Sequence, residues 1–352
     1  MTVLGIYQCN ISVTITLIIM CSIMDLIHKK DFKEVLINGF KGIGMLLLGG
    51  ILYLSLLKII PLCTNIPLVD YTYNSVGIRE ITITNIYNSY VECIKSIISS
   101  ASIYSPIVIS IIHIVLFIII IIAYANFIIN KKHNINTKIL ITILFLILPF
   151  GMNITYILDG GFAHDMMKYA YCFVYVLVLI LISDKSSMEG IKDNSAKVIQ
   201  ICAYSLVFII LFGNSQIANN TYLKKEIESK ATYSYMNRVL ERIENTEGYI
   251  EGVTEVSFIG RAPASLNRSI PGFENSYKIT GNSSTFAING RGDRIYYEAY
   301  FNYVMLNPIK LAEPDKWEEI RNSEYAKNMK NYPDKECIKM MDNVLVVKLG
   351  DI

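Results

Sequence analysis

At 352 residues with 53% hydrophobic and 18% charged residues, a net charge of +2 and a mean hydropathy of +0.40, the chain is too apolar for an ordinary soluble domain. Its basic residues are interspersed with acidic ones, which argues against a nucleic-acid partner. The apolar residues fill positions 1–212, whereas 213–352 mix charged, aromatic and polar residues as a globular domain does. The composition therefore predicts a mostly α protein: a polytopic membrane helical bundle over 1–212 and a small soluble α/β domain over 213–352.

A hydrocarbon core of roughly 30 Å takes about 20 apolar residues in a helix. Six runs reach or approach that length: Leu4 to Ile27, Gly42 to Leu62, Pro106 to Ile129, Ile139 to Leu158, Tyr169 to Ile182 and Val198 to Phe212. The last two are short. Lysines mark the connections after the first, third and fifth runs, at Lys29, Lys30 and Lys33, at Lys131, Lys132 and Lys138, and at Lys185, Lys192 and Lys197. Positive charge stays on the cytoplasmic side, so these three loops are expected inside the cell. The Pro61 to Ser105 connection, the Asp159 to Asp165 connection, the C-terminal domain and the N-terminus are then expected outside. An outside N-terminus without a basic leader suggests a chain that begins within a longer reading frame, with an odd number of helices upstream.

Within the long outer connection, Ile83, Ile86, Tyr87, Tyr90, Val91, Ile94, Ile97 and Ile98 recur at three- and four-residue steps. That spacing predicts an amphipathic helix over about 80–100 at the outer face, either packed on the bundle or forming a platform at the lipid–water boundary. In the C-terminal domain a helix is expected over Ser215 to Asn245, followed by a strand over Val253 to Gly260. Further helices are expected over Arg294 to Met305 and Asp315 to Asn322. A hairpin of Cys337 to Met341 and Val344 to Leu349 then turns at Asp342-Asn343.

The seven cysteines form no ligand pattern, and a Cys63–Cys93 disulfide in the outer connection is open. No phosphate loop, dinucleotide fingerprint or zincin motif occurs, and neither metal nor cofactor is expected. His113 in the third run reads as a packing residue. Polar chemistry concentrates instead at the outer end of the bundle, where Asp159, His164, Asp165 and Lys168 bracket Gly160-Gly161. A carboxylate there can accept the proton of an acceptor hydroxyl, and Lys168 or Arg79, beside Glu80, can neutralise a phosphate leaving group. The alternative is a solvated loop with one snorkelling lysine. Tyr7, Gln8 and Asn10 make a second polar patch, suited to hydrogen-bonding a sugar or one another.

Three stretches resemble the bacterial Gtr-type glucosyltransferases, membrane enzymes that add glucosyl groups to surface polysaccharides. They are Gly5-Ile6-Tyr7-Gln8 leading into Ile11-Ser12-Val13, then His164-Asp165-Met166-Met167-Lys168-Tyr169-Ala170, and a set in the C-terminal domain. That set comprises Asn219 to Lys224, Val256 to Gly260 and Tyr332 to Lys339. The resemblance implies a GT-C-like architecture in the bacterial plasma membrane, with the C-terminal domain extracytoplasmic. It implies a polyprenyl-phosphate-glucose donor, a polysaccharide acceptor such as O-antigen, and a flippase and a donor-synthesising glucosyltransferase as partners. On this reading Asp165 and His164 are catalytic, and Lys168, Arg79, Glu80, Tyr7 and Gln8 contact substrate. Members of the family are longer at the N-terminus, with essential acidic residues in an early outer loop, so the resemblance also implies that this chain lacks its catalytic base. A lipid-linked-sugar flippase and a non-catalytic polysaccharide assembly protein are the competing classes.

Overall fold

The computed structural model describes residues 10–28, 30–64, 81–98, 106–129, 133–161, 163, 167–184, 191–268, individual positions from 270 to 281, and 294–351. The chain divides into two compact units, Met1–Asn214 and Ser215–Ile352.

The first unit is helical. It contains α1 (Asn10–Ile27), α2 (Phe32–Thr64), α3 (Ile83–Ile98), α4 (Pro106–Ile129), α5 (Ile135–Met152), the short α6 (Ile154–Leu158) and α7 (Phe173–Ser183), the last entered through a 3-10 turn, Tyr169–Cys172. Helix α8 (Asp193–Glu244) supplies residues to both units. Among the described residues five helices, α1, α2, α4, α5 and α8, are long and apolar enough to cross a membrane. The stretch Tyr169–Ser183 is apolar but shorter, so the expected count of six becomes five long helices and one short one. Many of their large apolar side chains face outward, among them Phe40, Leu47, Ile107 and Phe208, as lipid-facing residues must.

Three boundaries differ from the sequence expectation. The second span is longer, beginning at Phe32 rather than Gly42. The fourth apolar run does not continue to Leu158 as one helix. Pro149 sits in its last turn, and Asn153 (φ −118°, ψ 27°) ends α5 and starts α6. Finally, the sixth run and the helix expected after Ser215 are one continuous helix, because Gly213 lowers helix propensity by only about 1 kcal/mol and breaks nothing. Cys63 and Cys93 are both free thiols, so no disulfide joins them.

Helix α3 exists as the periodicity predicts, with Tyr90, Val91, Ile94, Ile97 and Ile98 half-buried and Ile97 packed on the core of the unit. Ser89 and Cys93 are its buried residues, while Ile83, Ile86 and Tyr87 are exposed. Small and polar side chains such as Ser89 and Cys93 let helix backbones approach closely.

The second unit carries a three-stranded sheet in the order β1-β3-β2, with β1 (Glu255–Ile259) parallel to β3 (Val344–Lys348) and β2 (Ile338–Met341) antiparallel to it. Asp342 and Asn343 both take left-handed angles in the β2–β3 hairpin, the turn those residues favour. Central β3 is buried along its whole length. One face packs on Met236, Val239 and Ile243 of α8 and on α9 (Arg294–Tyr300), with Phe258 stacked on Tyr297 at 4.6 Å. The other packs on α10 (Pro314–Asn322) and α11 (Glu324–Asn328). The helix expected to reach Met305 stops being α at Tyr300 and continues as a π turn, Phe301–Met305, ended by Leu306 at φ 54°.

Candidate functional site at the 153–171 segment

The segment from Asn153 to Tyr171 is tied to two helices by polar contacts. On the α1 side, the Tyr169 hydroxyl donates to Asn10 Oδ1 and Ser12 Oγ donates to Thr155 Oγ1 at 3.5 Å. On the α3 side the contacts follow a stripe at four-residue steps, Asn85, Ser89 and Cys93. Gly161 (φ +100°) lies so close to Asn85 that a Cβ there would sit 2.8 Å from Oδ1. Ser89 and Asn153 are bonded reciprocally: Ser89 Oγ donates to the Asn153 carbonyl, and Asn153 Nδ2 donates to the Ser89 carbonyl, each at 3.0 Å. Cys93 faces the Tyr171 hydroxyl.

These contacts compensate for the helix break. Where α5 stops, the Asn153 N–H still reaches the Pro149 and Phe150 carbonyls, both at 3.2 Å. Its own carbonyl and amide are taken up by Ser89. A kink in an apolar helix is tolerated only when the freed polar groups are satisfied this way. Beyond α6, Gly160 and Gly161 both adopt left-handed angles that turn the chain. Asp159 and Lys168 are half-buried on either side of that turn, and Lys168 begins the 3-10 turn by accepting the Tyr171 N–H at 2.9 Å.

Of the site residues expected from sequence, Lys168 is the one the structure describes. Tyr7, Gln8, Arg79, Glu80, His164 and Asp165 lie outside the described residues. Asn10, from the second polar patch, is joined to the 153–171 segment through Tyr169. Ser89, Asn153, Asn85 and Tyr171 were not anticipated. The four-residue spacing of Asn85, Ser89 and Cys93 was the available signal, hidden by the stronger isoleucine periodicity around it. Among the described residues no group of three His, Cys, Asp or Glu side chains converges to hold a metal ion. His113 is buried in α4 with Nε2 2.6 Å from the Tyr175 hydroxyl.

The opposite end of the bundle has a different character. His28, just past α1, approaches Asp184, just past α7, at 3.5 Å, and Lys30 pairs with Asp25 at 3.0 Å. Its hydrogen bond to the Asp25 carboxylate holds the Lys30 ammonium above its usual range. The bundle thus has a basic end, at the lysine-bearing 28–33 connection, and another end where Asp159 and Lys168 stand beside hydroxyls, amides and glycines.

No curated protein and no solved structure matches the chain. One family model does, over residues 1–182, which takes in α1 to α7 and the whole 153–171 segment. With five helices fit to cross a bilayer and this match over half its length, the chain belongs to the family described as Glucosyl transferase GtrII and is a membrane glucosyltransferase.

Proposed function

We propose that this glucosyltransferase moves glucose from a polyprenyl-phosphate donor to a cell-surface polysaccharide at the extracytoplasmic face of the bacterial plasma membrane, with the 213–352 domain on that face. The observation that carries this reading is the polarity of the bundle. Asn10 and the 153–171 segment share one end, whereas His28, Lys30 and Asp184 share the other. Lysines gather in the 28–33, 131–138 and 185–197 connections, and positive charge is retained in the cytoplasm, which supports an outward-facing 153–171 end.

In the proposed reaction the acceptor hydroxyl oxygen attacks the anomeric carbon as the bond from that carbon to the phosphate oxygen breaks. Asp165 takes the hydroxyl proton, helped by His164, and polyprenyl phosphate leaves with its charge stabilised by Lys168 and Arg79. Glu80, Tyr7 and Gln8 contact the sugar. A flippase and a donor-synthesising glucosyltransferase supply the substrate.

The test is transfer of labelled glucose from polyprenyl-phosphate-glucose to acceptor polysaccharide by the full chain in lipid vesicles. Asp165→Ala is expected to lower turnover by on the order of 10²- to 10⁴-fold. Full activity in the Asp165→Ala, His164→Ala double variant removes those two residues from the mechanism. Translocation of the lipid-linked sugar without acceptor glucosylation marks a flippase. Unchanged glucosylation in variants of all the outer-loop acids marks an assembly protein.

A further inference from the structure

The reciprocal Ser89–Asn153 pair is placed where it can do more than repair a helix break. It joins residues 64 positions apart, both buried, and it is made of two bonds running in opposite directions between side chain and backbone. Such a pair fixes rotation as well as distance. One turn earlier on α3, Asn85 bears on Gly161, and one turn later Cys93 bears on Tyr171. Ser89 and Asn85 therefore bear on the start and the turn of the 153–161 stretch, which carries Asp159, and Cys93 faces Tyr171 beyond it.

We propose that Ser89 and Asn153 are positioning residues for glucosyl transfer: through them α3 sets where Asp159 and Lys168, on either side of the Gly160-Gly161 turn, face the lipid-linked donor. This rests on the reading of that turn as the reacting site. Helix α3 itself contributes no group to the chemistry. Its residues Ile83, Ile86 and Tyr87 are exposed, while Ser89 holds Asn153. A displacement of about 1 Å in a reacting group costs on the order of 10²-fold in rate, so a loosened clamp should appear in turnover before it appears in binding.

The experiment uses the full chain in lipid vesicles and compares wild type with Ser89→Ala, which removes one of the two bonds, and with Asn153→Ala, which removes the other. Hydrogen exchange of peptides covering 153–163 is measured alongside transfer kinetics with polyprenyl-phosphate-glucose. Loss of one buried bond should accelerate amide exchange in that segment about tenfold while helix α4 exchanges as in wild type. It should lower kcat by about tenfold or more and leave KM for the donor within about twofold. Unchanged exchange in both variants overturns the clamp. Unchanged kcat with faster exchange overturns its role in transfer, as does a loss expressed wholly in KM. Should Asn153→Ala fail to fold, Ser89→Ala alone decides. If wild type transfers no glucose, the functional reading fails and so does the role in transfer, while exchange still shows whether the clamp holds the loop.

Discussion

Lys224 and Glu228 form an ion pair one turn apart on α8, with side chains only 4% and 0% exposed. Glu228 Oε1 also accepts the Arg268 N–H at 3.0 Å, and Lys224 Nζ donates to Asn267 Oδ1 at 3.2 Å. The pair therefore ties the 267–268 turn to the helix. Breaking a buried pair by removing one partner costs about 3–5 kcal/mol, because the survivor stays buried and charged. Glu228→Gln retains volume and an acceptor for Arg268 yet withdraws the counter-charge. Its unfolding free energy, measured by denaturant titration of the detergent-solubilised chain, should fall by about 3 kcal/mol. An exposed control, Glu226→Gln beside Lys230, should leave it nearly unchanged.

Gly260 and Gly350 pack backbone to backbone where β1 and β3 end. A Cβ on Gly260 would lie 2.0 Å from the Gly350 carbonyl oxygen, and Gly260 has φ +76°. Neither strand can move aside, since Leu349 N–H is bonded to the Ile259 carbonyl at 2.8 Å. Gly260→Ala should destabilise the second unit by more than about 2 kcal/mol, combining left-handed strain with the clash. Gly248→Ala shares the left-handed angle (φ +83°) but meets nothing within 4 Å, so it should cost about 1 kcal/mol. Equal losses in the two variants would mean that strain alone, and not the contact, sets the effect.

Much of this architecture is legible in the sequence where a single signal dominates. Continuous apolar runs mark α1 and α4, and the Asp342-Asn343 pair between the apolar runs ending at Met341 and starting at Val344 marks the β2–β3 hairpin. What was not legible depends on partners distant in sequence. The parallel pairing of Glu255 with Val344 leaves no local trace. Nor does the break at Asn153, which sits inside an apolar run and is tolerated because Ser89 receives it. For α3 the period was legible, but the buried positions Ser89 and Cys93 were not, since they lie beside the isoleucine stripe and not in it. The candidate site was legible in part: Lys168 and Asn10 fall at the expected end, while the contacts that hold them come from Ser89, Asn85, Thr155 and Tyr169.

The tyrosines of the second unit make its stability sensitive to alkali. Burial pushes the Tyr300 hydroxyl up to about 12, with the neighbouring Tyr233 adding to the effect, and burial likewise raises Tyr235 and Tyr297. A raised folded-state pKa means that the unfolded chain loses its proton first. The contribution of Tyr300 is thus fully present below pH 10, its ordinary value, and is lost as pH rises toward about 12. Tyrosinate absorbance and circular dichroism recorded together should show ionisation coupled to unfolding across that window. Tyr300→Phe should move the coupled transition to higher pH. An unchanged transition would show that Tyr300 does not report the unfolding.

Membrane sidedness can be read directly from cysteine labelling. Glu92 lies on α3, the helix docked to the 153–171 segment, with 45% of its side chain exposed, and Lys30 lies at the basic end with 46% exposed. Cys63, Cys172 and Cys202 are exposed, so the experiment needs a background in which the native cysteines are serine. In that background a membrane-impermeant maleimide applied to intact cells should modify Glu92→Cys and leave Lys30→Cys unmodified until the membrane is opened. Retention of lysine-rich loops in the cytoplasm dictates this direction. The reverse pattern would put the 153–171 turn in the cytoplasm, where a donor delivered by a flippase could not reach it. Labelling of both sites from outside would show that Lys30 is not in a retained loop, which would remove the bundle's polarity as support for an extracytoplasmic reaction.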